Sequence, residues 1–203
     1  MRKNLGPRCL TVVAWALVGV VVTAGCGGGG GGATATVTGV ICDDASLDAL
    51  AGATVTSGAA SATSGADGHF SLGTVSGTRR IAVTRADYQP HETTVSLNAG
   101  ANDLGTVYLA PVLLTANGAV RGRVLRAGSP AVNARIQSGS AEAVSKPDGT
   151  FGIYNVGSGE RVLSAVSADM QYAGYTVLQV SAGQTITGVN ITLSLAPPTP
   201  PVF

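Results

Sequence analysis

Aromatic residues make up only 4% of this 203-residue chain and charged residues only 11%. A core of ring anchors is therefore excluded, and Val, Leu and Ile must supply the packing. Histidine occurs twice and cysteine three times. Two histidines, at His69 and His91, and no Asp-Xaa-Asp-Xaa-Asp-Gly run argue against a metal centre of recognisable spacing. No serine or cysteine stands in a recognisable setting with a base, so no nucleophilic site is legible and the expectation is a chain without enzymatic activity and without a cofactor. The formal charge of +1 hides a more acidic body: with Arg2, Lys3 and Arg8 in the N-terminal segment, 9 Lys/Arg remain against 11 Asp/Glu, a net of −2. Without a basic stripe or interleaved aromatics, nucleic acid is excluded as an expected partner.

Against these absences stands one phrase that occurs twice. Ser64-Gly65-Ala66-Asp67-Gly68-His69-Phe70-Ser71-Leu72 returns as Ser145-Lys146-Pro147-Asp148-Gly149-Thr150-Phe151-Gly152-Ile153. Each copy reads as a strand end, an Asp-Gly turn and an aromatic-led strand of alternating pattern. Each is preceded by an apolar strand opening Val-Xaa-Gly-Xaa, Val37 to Ile41 and Val120 to Val124, and followed by a glycine turn and a Val-rich strand. Matching flanks around both turns imply a tandem repeat of a small all-β domain. Seven short strands per copy predict two sandwiches of roughly 80 residues each, spanning 33–111 and 117–196. Phe70 and Leu72, like Phe151 and Ile153, should face inward in their domains.

The N-terminal 25 residues carry a basic stretch, an apolar run from Leu10 to Val22, and the close Thr23-Ala24-Gly25-Cys26. The run is too short for a confident permanent span and reads as a signal peptide. Its end resembles the lipobox of bacterial lipoproteins, with Thr23 in place of the preferred leucine. The resemblance implies cleavage before Cys26 and acylation of that cysteine, which would become the partner of a lipid bilayer. The alternative is an ordinary secretory signal cut near Ala24. Gly27 to Gly32 then forms, with Cys26, a tether (26–32) with a reach of about 14 Å. The absence of Asp after Cys26 resembles outer-membrane sorting and implies a cell-envelope location, at the outer membrane where the organism has one. The tail, 197–203, is Pro-rich and expected to be extended.

On this arithmetic Cys9 leaves with the leader, Cys26 is acylated and Cys42 remains a free thiol, buried and inert or else reactive, with no intrachain disulfide. Asp67 and Asp148 read as turn residues whose carboxylates accept amide bonds. A calcium role for Asp67 with Asp43, Asp44 and Asp48 is the weaker alternative.

The repeats resemble the carboxypeptidase regulatory-like domain, through Val37-Thr38-Gly39-Val40, Leu50 to Val55, Ala66 to Leu72 and Val75-Ser76-Gly77, and in the second copy through Val120 to Val124, Ala131 to Ile136, Pro147 to Ile153 and Val156 to Gly159. That resemblance implies a seven-stranded, transthyretin-like Greek-key sandwich and a non-catalytic accessory module. The functional expectation is a membrane-anchored surface spacer or protein-interaction module, with an envelope protein as partner. The alternative is a module binding carbohydrate or extracellular polymer, for which Tyr172 and Tyr175 are the candidate aromatic cluster.

Overall fold

The computed structural model describes residues 33–195. The expected signal peptide, Cys26, the expected tether and the Pro-rich tail lie outside the described residues. Within them the chain forms strands and no helix. In chain order these are β1 (Thr34–Asp43), β2 (Thr54–Ser57), β3 (Ala60–Thr63), β4 (His69–Val75), β5 (Gly77–Thr84), β6 (His91–Leu97), β7 (Gly100–Leu109), β8 (Asn117–Arg126), β9 (Ser129–Pro130), β10 (Arg135–Ser138), β11 (Ala141–Val144), β12 (Thr150–Gly157), β13 (Gly159–Val166), β14 (Ala173–Val180) and β15 (Thr185–Leu193).

Both copies use one topology. The first pairs β4-β1-β7 in one sheet and β3-β2-β5-β6 in the other. The second repeats this as β12-β8-β15, with β9 on β8, and β11-β10-β13-β14. The seven-stranded sandwich expected from the sequence is therefore present twice, the second copy gaining the two-residue β9. The β8–β15 ladder is parallel and the β8–β12 ladder antiparallel, so the sheet around β8 is mixed.

Alternation explains the cores. Along β4, Phe70 and Leu72 are buried while His69 and Ser71 are exposed. Along β5, Ile81 and Val83 are both buried, as their shared face requires. In the second copy Phe151 and Ile153 of β12 join Val124, Ile136, Leu163 and Ile191 in one cluster drawn from both sheets.

The Asp-Gly turns form as the phrase predicts. Gly68 has φ +77° and Gly149 φ +76°, conformations that a side chain rarely adopts. Asp67 Oδ1 accepts the His69 amide at 3.1 Å, and Asp148 Oδ1 accepts the Thr150 amide at 3.0 Å. The serine that opens each phrase has a role its composition did not disclose. Ser64 Oγ donates to the Leu50 carbonyl at 2.6 Å and accepts the Ala53 amide at 2.9 Å. Ser145 Oγ does the same with Ala131, at 2.6 Å, and Ala134, at 2.8 Å. Each buried hydroxyl satisfies two backbone groups of a segment that no ladder serves. A second repeated device is an arginine. Arg79 Nε donates to the Val75 carbonyl at 3.1 Å, and Arg161 Nε to Gly157 at 2.9 Å, closing the turn before β5 and β13.

The described residues fall into two compact units. The first holds the residues up to Ile41, Ala49–Thr84 and Pro90–Val107. The second holds Cys42–Asp48, Arg85–Gln89 and the residues from Tyr108 onward.

Cys42 corrects the cysteine arithmetic. It is fully buried, as one reading held, but disulfide-bonded rather than free.

Candidate functional site

The second unit contains a buried charge cluster built on Asp44. Its segment, Cys42–Asp48, is shaped by the preceding residue. Asp43 Oδ1 accepts the amides of Ala45 at 2.7 Å and Ser46 at 2.8 Å, a local Asx arrangement. Asp43 Oδ2 accepts the Tyr88 hydroxyl at 2.7 Å. Burial and then Asp43 push the Tyr88 pKa up to about 12. The Asp44 amide donates to the Leu109 carbonyl at 3.0 Å, which fixes the backbone from which its side chain departs.

The Asp44 side chain is 6% exposed. Lys146 Nζ donates to its Oδ1, and the Tyr154 hydroxyl donates to its Oδ2. Arg121 Nη2 lies 3.4 Å from that same Oδ2 and donates to the Tyr154 oxygen at 2.6 Å. Lys146 Nζ also stands 4.2 Å from the centre of the Tyr108 ring, a cation–π contact. The sequence supplies each group by a different route: Lys146 from the second Asp-Gly turn, Tyr154 from β12, Arg121 from β8. Gly152 makes the arrangement possible, since a Cβ there would fall 2.7 Å from Asp44 Oδ2 and 2.9 Å from the Tyr154 hydroxyl.

Burial by itself would raise the Asp44 pKa. The bonds from Lys146 and Tyr154, with the charges of Lys146 and Arg121, outweigh it and hold the carboxyl below its usual range. Burial, then the bond to Asp44, raises the Tyr154 phenol well above the ordinary tyrosine value. Asp44 is thus an ion and Tyr154 a neutral donor at neutral pH. Neither is poised to exchange a proton near pH 7, as a general acid or base would be. The cluster holds segments together; it does not resemble proton-transfer machinery.

Beside the cluster lies a cleft of about 410 Å³ lined by Asp44, Arg121, Arg123, Lys146, Thr150 and Asn190, among others. Its floor is the outer face of β8 and the strands flanking it.

The two candidate tyrosines of the glycan reading are not brought together. Tyr172 packs against the core cluster, and the Arg126 guanidinium lies 3.9 Å from its ring centre. Tyr175 pairs with Ser164, between the core-facing Leu163 and Ala165 of β13, and so stands on the opposite face. No group of three or more His, Cys, Asp or Glu among the described residues can hold a metal ion. In the calcium alternative Asp43 and Asp44 were to be ligands, but both carboxylates are occupied by protein donors. Cys26 lies outside the described residues.

Sequence reasoning missed Asp44, Arg121, Lys146 and Tyr154 as a group. One signal was available: aligned on the repeated phrase and, before it, on the Val-Xaa-Gly-Xaa strand, the first copy has Thr38, Gly65 and Gly73 where the second has Arg121, Lys146 and Tyr154. Polar residues acquired by one copy alone are candidates for a role the fold does not require.

No protein-family model matches the chain, and no curated protein matches it. Among solved structures, an interface mutant of the type II cohesin–X-dockerin complex from Acetivibrio cellulolyticus is similar at 30% identity and a TM-score of 0.31, covering 35% of this chain and 51% of that one. The Bacillus anthracis TIE protein is similar at 14% identity and TM-score 0.35, over 79% of this chain and 34% of that one. The minor pilin of Streptococcus agalactiae is similar at 11% identity and TM-score 0.31, over 84% of this chain and 98% of that one. The chain spans about half the length of the cohesin–dockerin chain it matches.

Proposed function

We propose that this chain is a non-enzymatic, lipid-anchored surface protein of the cell envelope, in which two carboxypeptidase regulatory-like sandwiches serve as a spacer and protein-interaction module. The observation that carries the reading is the doubled strand order, one seven-stranded plan used twice with the same turn and the same buried serine. Two copies of one plan double the strand surface that a partner can meet. The buried charges of the second unit are spent on one another and not aimed at a substrate. Thr23-Ala24-Gly25-Cys26 supports the anchor, and the glycine tether supports a sandwich held close to the bilayer.

Metabolic labelling with palmitate in a bacterial host tests the anchor. The wild-type chain should be labelled and sediment with membranes, and Cys26→Ser should be neither. A Cys26→Ser chain that still takes up label would end the lipoprotein reading. Chemical crosslinking on intact cells followed by pull-down tests the interaction role, with a discrete envelope protein as the expected product.

A further inference from the structure

The outer face of β8 carries two guanidiniums side by side. Arg121 and Arg123 are two residues apart on one strand and so point the same way, at a spacing of about 7 Å. Both are exposed. Their cross-strand neighbours are small: Gly152 stands opposite Arg121, and Thr150 and Asn190 flank Arg123 on β12 and β15. On the β15 side of Arg121 the ladder breaks into a bulge containing Gly188, with φ +76°. Short neighbours on both sides leave the two arginines in a trough, which is the floor of the 410 Å³ cleft.

The charge balance of this cleft does not close. Asp44 is its one carboxylate, and Lys146 already pairs with it. Arg121 reaches the same carboxylate through one nitrogen at 3.4 Å. Arg123 has no ion pair among the described residues. Three cations thus share one anion, leaving two positive charges in a concave site.

The first copy serves as an internal control. Its ladder sets Thr38 opposite Ser71 and Val40 opposite His69, the positions that Arg121 and Arg123 hold opposite Gly152 and Thr150. The same sheet therefore forms with no guanidinium at either place. The arginines and the glycine beside them are additions peculiar to the second copy.

We infer that the cleft over β8 is an oxyanion-binding site, in which Arg121 and Arg123 receive a carboxylate or phosphate group of a ligand. The planar fork of each arginine matches either group bidentately, and Thr150 and Asn190 add neutral hydrogen-bonding groups at the rim. The inference does not depend on the spacer reading: the site stands on copy-specific residues, and a lipid anchor neither makes nor removes it.

Thermal unfolding of the detergent-solubilised full chain tests it, with inorganic phosphate and glucuronate as separate probes titrated against chloride at constant ionic strength. A ligand that binds only the folded state raises the midpoint with concentration. At least one probe should do so, and Arg123→Gln should weaken that probe by about tenfold or more. Arg123 is exposed and has no ion pair among the described residues, so the variant should still unfold cooperatively without ligand, its own midpoint serving as the baseline for its titration. Arg80→Gln, an exposed change in the first unit, should respond as wild type. Phosphate alone shifting the midpoint assigns a phosphate ester as the natural group; glucuronate alone assigns a uronate-type carboxylate. If neither probe shifts the midpoint, or Arg123→Gln responds like wild type, the inference is overturned.

Discussion

Asp44 and Lys146 stand 102 residues apart and form the most buried ion pair among the described residues. A pair so placed is a long-range closure of the second unit, since Asp44 belongs to the short upstream segment Cys42–Asp48.

Replacing Asp44 by Asn should cost about 3 kcal/mol at neutral pH, because Lys146 would lose its counter-charge inside the protein. The effect should depend on pH in one direction. The folded carboxyl titrates below the ordinary 3.8, so its contribution is full above that value and is lost as pH falls through the folded pKa. Wild type and Asp44→Asn should therefore differ at pH 7 and converge below pH 3.8 in urea unfolding curves. A constant difference across that range would show that the carboxylate's charge is not what matters.

The second turn separates volume from hydrogen bonding. Phe151 is 2% exposed at the centre of its cluster, and Phe151→Ala should cost about 3–5 kcal/mol. Asp148→Ala removes the one oxygen, Oδ1, that accepts both the Thr150 amide and hydroxyl at the surface, at a cost of about 1 kcal/mol. Urea denaturation followed by circular dichroism should rank them in that order. A severe Asp148 effect restored by calcium would mean that the turn is a ligand site.

How much of this was legible beforehand follows from the physics of each element. The strands, the paired Asp-Gly turns and the inward faces of Phe70 and Phe151 are local: alternation and turn chemistry write them into adjacent residues. Asp44 with Lys146 is not local. It depends on where Cys42–Asp48 packs, which no spacing encodes. Ser64 and Ser145 were visible as repeated letters, yet a serine's partner is set by tertiary placement and not by its neighbours. Tyr172 and Tyr175 misled because nearness along a chain says little about a shared face once Tyr172 sits before β14 and Tyr175 within it.

Gly152→Ala is the most selective probe of the cluster. Its Cβ would enter the space of Asp44 Oδ2 and the Tyr154 hydroxyl. Gly139→Ala adds the same methyl group at φ +58° with nothing within 4 Å. Backbone strain alone, about 1 kcal/mol, should limit the second change. The first should be the more destabilising at pH 7, and less so when Asp44 has already been changed to Asn. Equal, additive costs in the double variant would separate Gly152 from the cluster.

Thiol chemistry distinguishes precursor from product. A sulfur in a lipid thioether cannot also form a disulfide, and cleavage before Cys26 removes Cys9. The processed protein and the uncleaved chain should therefore differ in how Cys42 is alkylated after denaturation without reductant. The uncleaved chain should show its Cys42 blocked until reductant is added, as the disulfide requires. Mass spectrometry of alkylated protein from both fractions reads this directly.

Two copies of one strand order on a single chain also set a hazard during folding, because β1 and β8 occupy equivalent places and can be exchanged. The residues that differ between the copies oppose the exchange. Strand β8 in the place of β1 would push a guanidinium into the half-buried slot of Val40. Strand β4 in the place of β12 would set Ser71 where Gly152 must be, with its Cβ 2.7 Å from a buried carboxylate oxygen. Divergence between the repeats acts as an address label, telling each strand which sandwich to enter.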